Sequence, residues 1–313
     1  MIKTIAFATL ALLAGCQHTP SRPVPFPAGL APQAILQEVR LGPSGSYVET
    51  NSLDDVVPLV AHLDPATALV IFDIDDTLLS TPVVLGRAGQ REFFGSDSWY
   101  SWQRDLPVGD RYKKACRFAF LGINYEAATA EPTVDAAAVV DAIKTHKLIL
   151  TSRSPDYRGG TERELKFAKI PLPHSILNEP AVTLVLDDTP MTYSNGILMT
   201  RGADKGKALE KLLEKSPQEY KDIVLVDDGW GNILDMNAAS AAKERTFHGI
   251  LYTGIKRDIN AGNTDRATWR RWTIPEVDAS EAERAWQEWT RRTGNVYPLR
   301  VSRFSTDGDC NGK

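Results

Sequence analysis

The stretch Ala68-Leu69-Val70-Ile71-Phe72-Asp73-Ile74-Asp75-Asp76-Thr77 decides the fold class. Its first five residues are apolar without interruption, which predicts a strand buried on both faces, because a half-solvated strand alternates. Four further runs repeat the pattern: Lys147-Leu148-Ile149-Leu150, Val182-Thr183-Leu184-Val185-Leu186, Ile223-Val224-Leu225-Val226 and Ile250-Leu251-Tyr252. Stretches of helical character lie between them, at 134–145, 161–168, 205–215 and 232–245. Strands and helices in alternation predict an α/β fold with a parallel sheet covered by helices. Ligands bind such sheets beyond the carboxyl ends of the strands, so the residues that follow each run are the first candidates for function.

The first run leads directly into Asp73 and Asp75. Alternate residues of a strand share a face, so both carboxylates are expected to approach one site from the same side. Acidic groups crowded at the mouth of a sheet need a cation. Mg²⁺ suits them, since it takes oxygen ligands and keeps water and phosphate in its shell. The second run ends in Thr151, Ser152 and Arg153, which brings hydroxyls and a guanidinium to the same edge. The fourth ends in Asp227 and Asp228, with Asn232 shortly after; ahead of it Asp204-Lys205-Gly206-Lys207 opens a helix with a lysine able to hold an anion. Structural roles account for other polar residues. Asp76 reads as a cap of the following turn and Asp187-Asp188 as a strand-end turn leading into a hairpin. The five histidines, scattered without ligand spacing, read as surface or packing residues.

An apolar strand followed by Asp-x-Asp-x-Thr, a strand ending in Thr-Ser, a Lys-Gly helix start and a strand ending in Asp-Asp, in that order across residues 68–235, resemble the four motifs of the haloacid dehalogenase superfamily. The Tyr193-Ser194-Asn195-Gly196-Ile197 hairpin and an export signal, described below, narrow the resemblance to an uncharacterised branch of secreted bacterial proteins with a domain of unknown function. The lipoprotein acid phosphatases are the nearest competing branch. The resemblance implies a three-layer parallel sheet with helices on both faces and a small, mostly helical cap. It also implies a Mg²⁺-dependent phosphohydrolase acting on a small phosphorylated substrate. Asp73 would be the nucleophile that becomes an aspartyl-phosphate, and Asp75 would protonate the leaving oxygen and then deprotonate the hydrolytic water. Superfamily pumps and dehalogenases lack an aspartate at the position of Asp75. Thr151 would hydrogen-bond a phosphoryl oxygen, and Lys205 would neutralise the charge shared by nucleophile and phosphate. Lys205 is preferred to Lys207 because the superfamily's lysine directly precedes the glycine. The Asp73 carboxylate, the main-chain carbonyl of Asp75 and Asp227 would hold Mg²⁺, with Asp228 and Asn232 completing or orienting the shell. Ser152, Arg153 and Asn232 are candidate substrate contacts, Arg153 being equally readable as a salt bridge to a helix end. Asp73, Asp75, Lys205 and Asp227 together weigh against a lipoprotein that keeps the fold only as a binding or host-interaction module, since such a module has no need of both aspartates, whereas a phosphotransferase would share every residue.

The remaining sequence bounds where such a protein works. Its 313 residues, 42% hydrophobic and 24% charged, carry a formal net charge of −4, which supplies no field to attract nucleic acid. Nucleic acid is therefore not an expected partner. Residues 1–15 combine Lys3 with an apolar run too short to span a bilayer as a helix, and read as an export signal. Leu13-Ala14-Gly15-Cys16 resembles the lipobox of bacterial lipoproteins, which implies acylation of Cys16 as the mature first residue. Gln17 stands where an inner-membrane retention signal has Asp, which implies an outer-membrane anchor facing the periplasm, with the lipid as the only membrane contact. Six of the 19 prolines fall between Pro20 and Pro43 and predict an extended tether over 16–32, before a body at 33–304 and a tail at 305–313. Cys116 and Cys310 are then left as a possible pair in an oxidising compartment.

Between Asp73 and Thr151 the chain is far longer than one crossover helix needs, so about 81–130 is expected to be an insertion, which the resemblance makes a cap. Residues 81–125 hold nine aromatics, about 20% against 8% for the whole chain, a density suited to a module with its own core. Arg87, Arg91, Arg104 and Lys113 are its candidates for meeting an anionic substrate. Near the C-terminus, Ala282, Ala285, Trp286 and Trp289 recur at helical spacing and predict an amphipathic helix over 278–292 docked on the body.

Overall fold

The structure, a computed structural model of the chain, describes residues 36–80 and 131–255 together with short strands at 83–85, 93–94 and 270–272. In chain order the elements are β1 (Val39–Arg40), β2 (Gly45–Thr50), α1 (Val56–Val60), β3 (Ala68–Phe72), β4 (Leu79–Ser80), β5 (Val83–Leu85), β6 (Phe93–Phe94) and β7 (Glu131–Pro132). Next come α2 (Ala136–Ala142), β8 (His146–Thr151), α3 (Arg158–Phe167), β9 (Ala181–Leu186), β10 (Thr189–Ser194), β11 (Ile197–Met199) and α4 (Lys205–Leu213). The series closes with β12 (Asp222–Asp227), α5 (Trp230–Ala242), β13 (Thr246–Tyr252) and β14 (Arg270–Trp272).

Nine strands form one sheet in the order β1-β2-β13-β12-β3-β8-β11-β10-β9. The run from β2 to β11 is parallel throughout, while β1, β10 and β9 join antiparallel at the edges. The fold is α/β, as the alternation of strands and helices predicts. Every side chain of β3 is fully buried, and each large apolar one contributes about 1.5–3 kcal/mol through burial. Alternation along the central strands divides the interior into two cores. Val70, Phe72, Ile149, Val224 and Val226 pack with α1, α2 and Leu165 of α3. Leu69, Ile71, Leu148, Leu150, Ile223 and Leu225 pack with Ala208, Leu209 and Leu212 of α4 and Ile233 and Met236 of α5. The central sheet is thus covered by helices on both faces.

The run at 182–186 departs from expectation. It becomes β9, an antiparallel edge strand on which Leu184 is buried and Val185 is exposed, rather than a strand covered on both faces. Asp187 and Asp188 are the cause: both take left-handed backbone angles, φ 46° and 63°, and turn the chain back into β10. That geometry suits a tight two-residue hairpin, and Asp tolerates it better than most residues. Asn195 and Gly196 form the next reversal, into β11, also with positive φ. In the other direction, β2 is a parallel strand beside β13 that its sequence Gly-Ser-Tyr-Val-Glu-Thr does not announce.

Of the expected cap, only β5 and β6 lie among the described residues. They pair with each other, and β5 pairs with β14, so this part of the insertion is strand rather than helix. Val83, Val84, Phe93 and Phe94 are residue types that favour extended backbone. The remainder of the cap with its basic candidates, the signal segment with Cys16, the tether, Cys116, Cys310, the 278–292 helix and the tail lie outside the described residues. Among the described residues no helix is long and apolar enough to cross a membrane.

Candidate active site

Strands β12, β3 and β8 are neighbours in register, with Phe72 opposite both Val226 and Ile149. The residues just past them therefore converge at one edge of the sheet. Asp73 extends the ladder by one step, its N–H donating to the Val226 carbonyl at 3.0 Å. Odd-numbered residues of β3 and β12 face α4 and α5, and Asp73 and Asp227 continue that alternation toward the start of α4. Asp204 caps α4, its carboxylate accepting from the Lys207 N–H at 2.9 Å. The next residue, Lys205, turns inward and is buried, whereas the Lys207 side chain is 65% exposed. Gly206 allows the close approach, since a Cβ there would lie 2.4 Å from the Asp235 carbonyl oxygen and 2.8 Å from Ala239 Cβ on α5. Of the two lysines, Lys205 is the one that reaches the aspartates.

Lys205 Nζ donates to Asp73 Oδ1 at 2.6 Å and to Asp227 Oδ2 at 2.7 Å. The other Asp227 oxygen accepts from the Gly229 N–H and from Asn232 Nδ2, each at 2.8 Å. Asn232 therefore orients the Asp227 carboxylate. Gly229 completes this cradle, because a Cβ would come within 2.8 Å of Asn232 Nδ2 and 3.0 Å of Asp227 Oδ1. Asp228 closes the group: one carboxylate oxygen from each of Asp73, Asp227 and Asp228 lies within 4.8 Å of the others, and all three residues are buried.

Burial pushes the Asp73 carboxyl well above the usual carboxylate range; Lys205 opposes that, while Asp227, Asp228 and Asp75 add to it. Burial also acts against the Lys205 ammonium, but Asp227 and then Asp73 outweigh it and leave its pKa raised. The lysine stays charged. Among the described residues, Asp73, Asp227 and Asp228 gather their carboxyl oxygens close to the Lys205 ammonium, a set of donors able to hold a metal ion. Oxygen donors of this kind suit a hard cation such as Mg²⁺ or Ca²⁺.

Asp75 does not join this cluster. β3 stops at Phe72, and residues 74–78 turn, with Asp76 in left-handed backbone, φ 58°, and its N–H donating to the Leu79 carbonyl at 2.8 Å. The strand alternation that would have aligned Asp75 with Asp73 ends before it can act. The Asp75 carboxylate meets Arg153 in a two-point pair instead, Nε to Oδ2 at 2.9 Å and Nη2 to Oδ1 at 2.8 Å. Behind it, Arg153 Nη1 donates to Glu164 Oε2 at 2.5 Å and to Thr161 Oγ1 at 3.1 Å, both on α3. The Arg153 side chain is 1% exposed. It forms a buried salt bridge between the Asp73–Thr77 turn and α3.

Thr151, the last residue of β8, is buried, and its Oγ1 accepts from the Arg153 N–H at 3.2 Å. Accepting that bond leaves the hydroxyl proton to be donated elsewhere. Ser152 is exposed at the same edge. Asp187 and Asp188 sit in the β9–β10 turn at the far border of the sheet, and no described histidine belongs to the aspartate cluster. Thr161 and Glu164 are the polar residues that sequence reasoning missed. They are three apart on α3 and so share a face, but nothing local marks that face as buried.

The fold and this centre define an α/β protein with a buried, lysine-bridged aspartate cluster of metal-binding geometry. A family model described as a protein of unknown function, DUF2608, matches residues 49–289, and the chain belongs to that family. No curated protein matches the chain.

Proposed function

We propose that this protein is a Mg²⁺-dependent phosphohydrolase of haloacid dehalogenase type, acting on a small phosphorylated substrate. The observation that carries the reading is the buried pairing of Asp73 with Lys205 beside Asp227 and Asp228, at the carboxyl ends of parallel strands. A carboxylate nucleophile that must approach an anionic phosphoryl group needs fixed positive charge next to it, and Lys205 provides it. An ammonium has three donors. Two serve Asp73 and Asp227, and the third is left for a phosphoryl oxygen.

In this reading the Asp73 carboxylate attacks phosphorus. A new P–O bond forms, the ester P–O bond breaks, and the leaving oxygen takes a proton from Asp75. Water then adds to phosphorus, giving its proton to Asp75; the acyl phosphate bond breaks and Asp73 returns as a carboxylate with release of inorganic phosphate. Thr151 donates its hydroxyl proton to a phosphoryl oxygen throughout. Asp73, Asp227, Asp228 and the main-chain carbonyl of Asp75 would hold Mg²⁺, which supplies charge stabilisation to the phosphoryl oxygens when bound. A panel of phosphate esters, tested on the soluble body with and without Mg²⁺, decides the matter. Absence of Mg²⁺-dependent phosphate release across aryl, sugar, nucleoside and acyl phosphates would refute the reading.

The lipobox-like Leu13-Ala14-Gly15-Cys16 supports placement of this enzyme on the outer membrane, acylated at Cys16 and facing the periplasm. Mass spectrometry of the membrane-extracted protein should find a lipid-modified N-terminus at residue 16; an unmodified mature N-terminus elsewhere would contradict it.

A further inference from the structure

Arg153 holds one residue of each half of the proposed chemistry. Its guanidinium grips the Asp75 carboxylate at two points, 2.8 and 2.9 Å, and its main-chain N–H donates to the Thr151 hydroxyl at 3.2 Å. The side chain is enclosed, with Glu164 and Thr161 of α3 on its far side. A planar fork matched to a planar carboxylate fixes both the position and the rotation of that carboxylate. A single-point ammonium would not. The fork uses one acceptor direction on each Asp75 oxygen, and a carboxylate has further lone pairs to turn toward a substrate oxygen or a water.

We infer that Arg153 is a positioning residue for Asp75, held in turn by Glu164 and Thr161, and that it makes no contact with the phosphate. This rests on the phosphohydrolase reading, in which Asp75 transfers protons. Three consequences follow from acting through Asp75. Loss of the fork lowers kcat and leaves KM unchanged, because the ground-state contacts to substrate are untouched. Loss of the fork has no further effect once Asp75 itself is disabled. The Asp73, Asp227 and Asp228 cluster keeps its affinity for metal.

The experiment is a double-mutant cycle on the full chain with an aryl phosphate and Mg²⁺, using wild type, Arg153→Lys, Asp75→Asn and the double variant, with Mg²⁺ affinity of each measured by calorimetry. Arg153→Lys should reduce kcat roughly 10–100-fold, as supporting contacts around reactive groups commonly do, with KM and Mg²⁺ affinity changed by less than about threefold, the reach of packing adjustments. In the Asp75→Asn background the same substitution should change kcat by less than about threefold. Equal losses in both backgrounds, or a raised KM with kcat retained, would overturn the inference; the second result would return Arg153 to phosphate binding. If Arg153→Lys does not fold, Glu164→Gln is put through the same cycle with the same criteria. A wild type with no Mg²⁺-dependent turnover removes the phosphohydrolase reading, and this inference with it, whereas an active wild type with an additive cycle removes this inference alone.

Discussion

Lys205 Nζ donates to Asp73 Oδ1 at 2.6 Å, joining the first residue of α4 to the end of β3 across 132 positions of sequence. The contact is buried on both sides, and the same ammonium reaches Asp227. Two strands and a helix are thereby tied at one point, and that point is where the negative charge of the site is concentrated.

Replacing Lys205 should expose how much that tie contributes. Lys205→Met keeps the length of the side chain and removes its charge, leaving Asp73 and Asp227 without their shared partner. Breaking a buried ion pair from one side costs about 3–5 kcal/mol, so urea unfolding in metal-free buffer should show a loss of that order. Mg²⁺, binding the folded state alone, should restore part of it. A variant as stable as wild type without metal would show that the carboxylates do not depend on the ammonium.

Metal affinity should separate the two Asp-Asp pairs. Asp227→Ala removes a carboxylate from the buried cluster and should abolish Mg²⁺ binding seen by calorimetry. Asp187→Asn, in the left-handed turn between β9 and β10, should leave binding within about threefold of wild type, since distant sites behave independently. The opposite ranking would place the metal at the far border of the sheet.

Gly229 should prove sensitive despite an ordinary backbone. Its φ of −92° suits any residue, so Gly229→Ala brings no backbone strain. Its methyl group would instead collide with the Asn232–Asp227 hydrogen bond. The expected result is a 10–100-fold weaker Mg²⁺ affinity, in the range seen when groups behind a metal ligand are removed, with a thermal midpoint nearly unchanged. Unaltered affinity would mean that Asn232 does not set the Asp227 carboxylate.

Under the proposed phosphohydrolase chemistry, the two aspartates of the first motif should fail differently. Asp73→Asn should eliminate turnover and leave no trappable phosphoenzyme, because an amide replaces the nucleophilic carboxylate. Asp75→Asn should lose roughly 10²–10⁴-fold, the usual contribution of proton transfer, with the smaller loss on aryl phosphates, whose leaving groups need little protonation. Rapid-quench analysis should then find phosphoenzyme accumulating in Asp75→Asn, since hydrolysis of the intermediate lacks its base. Equal behaviour of the two variants would contradict separate roles.

The class of fold was legible in the sequence because an unbroken apolar run such as Ala68–Phe72 has no side chain to offer water, and only a strand covered on both faces satisfies it. The same reading located the polar residues at the strand ends, and so the edge of the sheet at which Asp73, Thr151 and Asp227 all lie. It failed at 182–186, where a run broken only by Thr183 lies at the border. Apolarity reports burial, not place in the order of strands, and the turn at Asp187-Asp188 decided that place.

What the sequence determined by itself was local: which segments are strands and helices, and which functional groups stand at their ends. Partner choice came from tertiary structure alone. Lys205 and Lys207 are two apart on α4, so helix geometry sets them on different faces, and the close packing of α4 at Gly206 against α5 goes with Lys205 being buried and Lys207 lying in solvent. Asp73 and Asp75 are two residues apart, yet one pairs with Lys205 and the other with Arg153, 78 positions away. The reason is physical: side-chain periodicity extends only as far as the regular backbone that produces it, and β3 ends at Phe72. Beyond that point each carboxylate is placed by the turn and by whichever cation the folded chain brings within reach.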